Sequence, residues 1–188
     1  MARTELIIAF KNEINKYLGL PYFKNAGKYK NHGSNAYVGK GDAKEIALAT
    51  IELANKENIK LLDLSTKQIY NFQKKHHLGI DCSGLACHLL TYYGSLINKK
   101  VILNPRNTSA DMLTSPPLSS RIDPELIESG DLVRQKNGAH VVIIIDKHKD
   151  TITYVDSSFA NRGVKQGAIK YPDPEFFKDG VFRLNQLI

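Results

Sequence analysis

Apolar residues in the first half of the chain recur at the three- and four-residue spacing of amphipathic helices. This pattern predicts helices over residues 4–18, 43–57 and 66–76, and a fourth helix that begins near Cys82. In the fourth, the apolar positions share one face with the cysteine: Leu85, Ala86, Leu89, Leu90 and Tyr93. Residues 98–125 are rich in Pro, Ser and Asn and are predicted to be mostly loop.

After Gly130 the pattern changes to that of β-strands. Strands are predicted over residues 131–134, 140–145, 151–156 and 180–184. The second of these, from His140, is a continuous β-branched run, which indicates a strand covered on both faces. Helices followed by an antiparallel sheet predict an α+β fold, with residues 1–188 forming a single domain.

A hairpin around residues 146–150 would bring two polar residues together. With a loop of five or three residues, His140 lies directly opposite Asp156 on one face of the sheet, close enough for the carboxylate to hold the imidazole. A four-residue loop would instead place Ser157 opposite His140, and a slip of one residue would send Asp156 to the other face.

Cys82 lies where a loop turns into a helix. The unpaired N–H groups and the helix dipole favour a thiolate there, which is the nucleophilic form. We therefore expect Cys82 to attack an acyl carbon, His140 to accept and return the proton, and Asp156 to fix the imidazole. N–H groups at the helix start would hold the oxyanion. The alternative is a buried free cysteine that only packs.

The composition is that of an ordinary globular chain, with 188 residues, 42% of them hydrophobic and 24% charged. No apolar run approaches the roughly 20 residues needed to cross a bilayer. The apolar start is too short for a signal peptide, so we expect a cytoplasmic protein or export by a route without a cleavable signal. The chemistry proposed for Cys82 needs no cofactor.

The two cysteines, Cys82 and Cys87, are five positions apart on one predicted helix, which is unsuitable for a disulfide. We expect both to be free thiols. A zinc site using them with His76, His77 and His88 is an alternative, although the spacing matches no common structural zinc pattern.

Basic charge is concentrated before the cysteine. Residues 1–76 hold 13 Lys and Arg against 7 Asp and Glu, whereas residues 77–188 hold 13 against 12. In and just before residues 24–44, lysines interleave with aromatic residues: Lys24, Lys28, Lys30 and Lys40 with Tyr22, Phe23, Tyr29 and Tyr37. This segment would suit contact with an anionic polymer such as nucleic acid or a wall polymer. The alternative is a solvated loop.

The chain resembles the NlpC-type cell-wall peptidases, which are papain-like cysteine hydrolases. Four segments carry the resemblance, in order: IDCSGL at 80–85, NPRNTSA at 104–110, SGDLV at 129–133 with GAHVVII at 138–144, and the polar third residue at Asp156. The resemblance implies a papain-like fold and hydrolysis of amide bonds in peptidoglycan stem peptides. It also implies that Asp81 and Ser83 help to bind the substrate's amino end.

The family usually carries a Pro-Tyr-x-Trp-Gly-Gly-like segment shortly before its cysteine. Here the nearest match is Pro21-Tyr22-Phe23, which lies 60 positions before Cys82 and lacks the Trp-Gly-Gly. If Tyr22 plays the family's part in lining the active site, residues 31–77 are an inserted, mostly helical and basic segment.

Three other interpretations remain open. A transglutaminase-like acyl transferase shares the Cys, His, Asp order. An effector or toxin amidase would use the same chemistry. A non-catalytic module would bind an anionic polymer through its basic N-terminal region and would not depend on Cys82.

Overall fold

The computed structural model describes residues 2–24 and 32–188. Within them are five α-helices: α1 (Arg3–Asn15), α2 (Ala43–Lys56), α3 (Thr66–Lys75), α4 (Cys82–Leu96) and α5 (Ala110–Leu113). Six strands follow: β1 (Ser119–Ile122), β2 (Leu132–Gln135), β3 (His140–His148), β4 (Thr151–Ser158), β5 (Gly163–Lys170) and β6 (Val181–Leu184). None of the helices in these residues is long and apolar enough to cross a membrane.

The six strands form one sheet in the order β1-β6-β2-β3-β4-β5, and every neighbouring pair is antiparallel. Helices on an antiparallel sheet make the chain α+β, as predicted. The helices begin and end within a few residues of their predicted bounds. In contrast, residues 98–125 are not only loop, because they contain α5 and β1, whose four-residue lengths are too short to show a periodic pattern.

Strand β5 was not anticipated from the sequence. Its residues, GVKQGAIK, lack a continuous apolar run, and most of its length is at least partly exposed. Pairing with all eight residues of β4 accounts for the strand, since an edge strand can satisfy its backbone on one side and face water on the other.

Apolar side chains cover both faces of the central strand, which confirms the interpretation of the β-branched run. Val141, Ile143 and Ile145 pack against the helices, and Val142 and Ile144 pack into a second cluster on the far face. All five are at most 2% exposed. The buried stripe of α4 lies on the first face, so the start of α4 is fixed against the sheet.

The β3–β4 hairpin does not have the predicted register. Its loop has two residues, Lys149 and Asp150, and His148 pairs with Thr151. Continued unchanged, this register would place Asp156 opposite Ile143 and on the face away from His140. A β-bulge between Ile144 and Asp146 inserts one residue into β3 and returns Asp156 to the same face of the sheet as His140.

As a result, Ile143 pairs with Val155, and His140 and Asp156 are diagonal neighbours on one face instead of directly opposed. Diagonal neighbours remain within reach of long or aromatic side chains. The predicted loop length is therefore wrong, but the bulge compensates for the difference.

Helices α2 and α3 lie within the predicted insertion at residues 31–77. They are joined by a buried hydrogen bond in which Gln73 Nε2 donates to Thr50 Oγ1 over 3.2 Å. Tyr70 of α3 donates its hydroxyl to the carbonyl of Arg162, in the turn between β4 and β5. The segment thus contacts the rest of the fold close to Asp156.

Candidate active site at the start of α4

The side chain of Asp81 caps the helix that Cys82 opens. Its Oδ1 accepts a hydrogen bond of 2.7 Å from the N–H of Gly84, so the third N–H of α4 is satisfied. The N–H groups of Cys82 and Ser83 belong to the first turn of α4, where no carbonyl of the helix itself can accept a hydrogen bond from them. They are the donors available to an oxyanion beside the Cys82 sulfur.

Two glycines allow other chain segments to approach this turn closely. A Cβ at Gly79 would lie 2.2 Å from the carbonyl oxygen of Pro21, and one at Gly84 would lie 2.7 Å from that of Gly39. The N–H of Ile80 donates to Pro21, and the N–H of Asp81 donates to Gly39. Tyr22 and Lys40, which are distant in sequence, are brought to the cysteine in this way.

His140, the first residue of β3, is held by Asp156 of β4. Its Nε2 lies 3.1 Å from Asp156 Oδ2, and the other carboxylate oxygen accepts a 2.9 Å hydrogen bond from Asn161 Nδ2. Both oxygens of Asp156 are therefore engaged, which fixes the carboxylate and with it the plane of the imidazole. Nε2 is used by Asp156, so Nδ1 is the nitrogen left for Cys82.

Cys82 and His140 form a coupled pair in the buried site. Burial disfavours the charged imidazole, but hydrogen bonds with Asp156 and with Cys82, reinforced by their negative charge, raise the pKa of His140 to about 9. Cys82, His140 and Asp156 are each at most 7% exposed. The arrangement favours an imidazolium beside the sulfur, which is the form that can protonate a leaving amine.

A cleft of about 330 Å³ opens beside Cys82. Tyr22 and Lys24 line one side of it, and Arg106 to Ala110 line another. Burial, together with negative charge at Cys82 and Asp81, raises the pKa of Tyr22 to about 12, so its hydroxyl remains a neutral hydrogen-bonding group at any ordinary pH. The predicted position of Tyr22 at the site agrees with this placement despite the 60 intervening residues.

His140 and Asp156 line an adjoining pocket of about 260 Å³ with Asn161 and Phe176. A larger groove of about 740 Å³ lies elsewhere, between α1 and the ends of β3 and β6. Among the described residues that line it there is no cysteine or histidine. Volume alone would select this groove, whereas Cys82, His140 and Asp156 line the two smaller pockets.

Lys40 occupies the cleft wall formed by Asp81 and Ser83. Its Nζ lies 2.9 Å and 2.8 Å from the two carboxylate oxygens of Asp81, and it donates to Ser83 Oγ over 2.6 Å. Burial raises the pKa of Asp81, and the lysine charge and hydrogen bonds counteract that effect. The two residues expected to bind a substrate's amino end thus bind an amine of the chain itself.

Arg106 of the loop before α5 holds the segment that leads to Lys40. Its Nε donates to Asn35 Oδ1 over 2.5 Å, and its Nη2 donates to the carbonyls of His32 and Gly33 over 2.8 and 2.7 Å. These three acceptors are neutral oxygens, so the guanidinium charge remains available to the cleft it lines.

The basic segment at 24–44 is only partly as the sequence suggested. Lys28, Tyr29 and Lys30 lie outside the described residues. Lys40 was expected on a solvated basic surface, and this is wrong: it is 5% exposed because it pairs with Asp81. The ring of Tyr37 contacts that of His32, and the ring of Phe23 contacts that of His77, both in a tilted arrangement. Lys24 and Lys44 remain exposed.

The second cysteine is chemically different from the first. Cys87 lies five residues further along α4, is 1% exposed, and has its pKa raised by burial to about 12. Both cysteines are unpaired. In residues 2–24 and 32–188, no group of His, Cys, Asp and Glu side chains is arranged to hold a metal ion. His88 instead bonds through Nε2 to the carbonyl of Lys40.

Three residues of the site were not identified from the sequence. Lys40 depends on an isolated bridge between positions 40 and 80, and no local pattern predicts such a contact. Asn161 follows a strand in a turn, a position where Asn is common for local reasons. Ser157, which donates to the carbonyl of Ile80 over 2.6 Å, was considered only as an alternative partner for His140.

Comparison with protein-family models, with curated proteins and with solved structures finds no match to this chain.

Proposed function

We propose that this protein is a cysteine hydrolase, an endopeptidase or amidase, with Cys82 as nucleophile, His140 as acid and base, and Asp156 as the orienting carboxylate. One observation carries the proposal: the thiol at the start of α4 is close enough to His140 to raise the pKa of its imidazole, and Nε2 of that imidazole lies 3.1 Å from a buried carboxylate. The proposal includes a papain-like arrangement, in which the helix of the nucleophile packs on the antiparallel sheet that carries the base.

The reaction proceeds in two halves. His140 holds the proton of Cys82 on Nδ1, and the sulfur attacks the carbonyl carbon of the substrate amide. The resulting oxyanion is held by the N–H groups of Cys82 and Ser83. His140 then returns the proton to the leaving amine as the C–N bond breaks, which leaves a thioester on Cys82.

Water completes the cycle. His140 takes a proton from the water molecule that attacks the thioester, and the C–S bond breaks to release a carboxylic acid and the Cys82 thiol. Asp156 stabilises the imidazolium in both halves and keeps Nε2–H directed at itself, so Nδ1 faces the sulfur throughout.

The substrate class follows from the motif resemblance and the form of the site. The segments around Cys82 and His140 resemble those of enzymes that cleave cell-wall peptides, and the open cleft beside Cys82 offers polar groups along both walls. We therefore assign peptidoglycan stem peptides as the substrate. The polar lining suits a peptide backbone better than an apolar ligand.

The test is incubation of the wild-type chain with purified peptidoglycan fragments, with products identified by mass spectrometry. Wild type and Cys87→Ala are expected to release the same two products, and Cys82→Ala is expected to be slower by about 10³-fold or more. Cys87→Ala is the matched control because it removes a thiol from the same helix. Equal hydrolysis by Cys82→Ala would overturn the proposal.

Two further arms separate the alternatives. Addition of a primary amine should not yield an amide product, since water is the proposed acceptor; efficient amine incorporation would indicate an acyl transferase. Binding of wild type to peptidoglycan with no product of any mass would indicate a non-catalytic module. Either result contradicts hydrolysis as the function.

A further inference from the structure

A buried ammonium group lies in the wall of the candidate cleft. Lys40 is 5% exposed, and its Nζ contacts both carboxylate oxygens of Asp81 and the hydroxyl of Ser83. Asp81 and Ser83 flank Cys82 in sequence, and all four residues line one cleft. The amine therefore lies in the wall of the same cleft as the Cys82 sulfur.

The main chain of Lys40 is held in place, so its ammonium group cannot easily move out of the cleft wall. Lys40 pairs with Ile80 in an antiparallel bridge, and its carbonyl is bonded by His88 Nε2 over 2.9 Å. The preceding residue, Gly39, accepts from the N–H of Asp81. With its main chain fixed on three sides, Lys40 is part of the wall and not a surface side chain that turned inward.

Lys40 takes up the hydrogen-bond acceptors of Asp81 and Ser83, which could otherwise bind a positively charged group of the substrate. Asp81 serves Lys40 and the N–H of Gly84, and the hydroxyl of Ser83 also lies 3.2 Å from Asp81. Asp81 is the one carboxylate among the described residues that line the cleft, whereas Lys24 and Arg106 add two further cations. A substrate ammonium here would meet positive charge in a poorly solvated site.

We propose that Lys40 is a specificity-determining residue that excludes substrates with a free amine at this position of the cleft. Resting on the proposed hydrolase function, this inference narrows the substrate class to peptides whose amino end is already acylated. In peptidoglycan, that describes a stem peptide still in amide linkage to its muramic acid, in contrast to the released peptide. The residue acts by charge and occupancy and takes no part in bond breaking.

The experiment compares two substrates that differ only at the amino end: a stem peptide linked to muramic acid, and the same peptide with a free amine. We expect kcat/KM of the wild type to be at least about tenfold higher for the linked form. Lys40→Ala, which frees Asp81 and Ser83, should reverse the preference by a similar factor. A wild type that prefers the free amine would overturn the inference without any variant.

Lys40→Arg is the matched control, since it keeps a cation against Asp81 and should keep the preference for the linked form. Addition of propylammonium to Lys40→Ala should restore the wild-type preference by filling the vacated position. An unchanged substrate ratio in Lys40→Ala, with circular dichroism showing a folded protein, would contradict the proposal.

Binding separates this inference from the proposed function. Isothermal titration calorimetry measures the binding of both peptides to two variants that cannot break the bond. One is Cys82→Ala, and the other is the double variant that carries Cys82→Ala and Lys40→Ala. A preference that follows Lys40 in binding, with no hydrolysis by wild type, would contradict only the hydrolase. Hydrolysis with a preference that ignores Lys40 would contradict only the inference, and neither binding nor hydrolysis would contradict both.

Discussion

At the scale of single residues, the imidazole of His140 connects the parts of the site. Its two nitrogens face different partners, Asp156 through Nε2 and Cys82 through the other. Asn161 acts one step further away by bonding the second oxygen of Asp156. This chain of contacts makes the protonation of His140 sensitive to each member, which gives the site measurable pH behaviour.

The raised pKa of His140 predicts an alkaline limit for activity. In the proposed mechanism the imidazolium protonates the leaving amine. It exists below the folded-state pKa of about 9 and is lost above it, so kcat/KM should fall as pH rises through about 9. In Asp156→Asn, one of the interactions that raise this pKa is gone, and the fall should begin at lower pH. The measurement is a pH profile of kcat/KM.

Asp146→Asn serves as the control for that profile. Asp146 lies on the same hairpin but forms a surface ion pair with Arg3 at 3.3 Å. Its profile should match that of the wild type. An alkaline limb that does not move in Asp156→Asn would contradict the role assigned to the carboxylate.

Asn161 is predicted to be a positioning residue. Asn161→Ala leaves one oxygen of Asp156 without its protein donor, so the imidazole is less well oriented and kcat should fall about tenfold with little change in KM. Asn55→Ala, an exposed position on α2, provides the comparison. If kcat is unchanged while the pH profile also stays fixed, Asn161 does not position Asp156.

At the scale of elements, three segments must meet for the site to form. The start of α4 supplies the Cys82 thiol, the β3–β4 hairpin supplies the imidazole and carboxylate, and the segments around Tyr22 and Lys40 line the cleft. Ser157 joins two of these, because its hydroxyl donates to the carbonyl of Ile80 just before α4. The hairpin and the helix start are thereby locked together.

Ser157→Ala is expected to lower the free energy of unfolding by about 1–3 kcal/mol, since it leaves the buried carbonyl of Ile80 without that donor. Urea denaturation measures the change. Ser120→Ala removes a comparable hydroxyl from an exposed bond to Asn185 and should change stability by less than about 0.5 kcal/mol. Equal losses in the free energy of unfolding for the two variants would show that the buried hydrogen bond contributes no more to stability than the exposed one.

Elements differ in how far the sequence could predict them. The four main helices and β3 have strong periodic or continuous apolar patterns, so their type follows from the order of apolar and polar residues alone. The face shared by His140 and Asp156 was also predicted, but from the wrong loop. The bulge at Ile145 depends on packing on both sides of β3, which no local sequence rule describes.

At the scale of the whole molecule, the stability of the fold depends on the protonation of His140. His140 has a pKa of about 9 in the folded chain against an ordinary value of 6.5. The stability it contributes is fully present below about pH 6.5 and is lost as pH rises through 9. We expect the free energy of unfolding to decline over this window by at most about 3 kcal/mol.

Urea denaturation at a series of pH values between 6 and 9.5 measures that decline. In His140→Gln the titrating group is absent, and the dependence over this window should flatten. A wild-type free energy of unfolding that is constant from pH 6.5 to 9, or one that rises, would contradict the raised pKa.

The contact between residues distant in sequence, Lys40 and Ile80, could not be predicted from the sequence. Positions 40 and 80 meet because the chain leaves the site after Lys40, forms α2 and α3, and returns at Ile80, just before Cys82. Lys40 therefore looked like one lysine of a basic segment. Its burial follows from the close approach that Gly84 allows, which becomes evident only in three dimensions.

The central claim is that hydrolysis requires the Cys82 thiol, and its most direct test is graded alkylation. Iodoacetamide is added for increasing times, the modified fraction of Cys82 and Cys87 is read by mass spectrometry, and hydrolysis of peptidoglycan fragments is measured on the same samples. Activity should fall in proportion to modification of Cys82 and reach zero while Cys87 is still unmodified, because burial raises the pKa of Cys87 to about 12. Full activity in a sample whose Cys82 is completely alkylated would contradict the account.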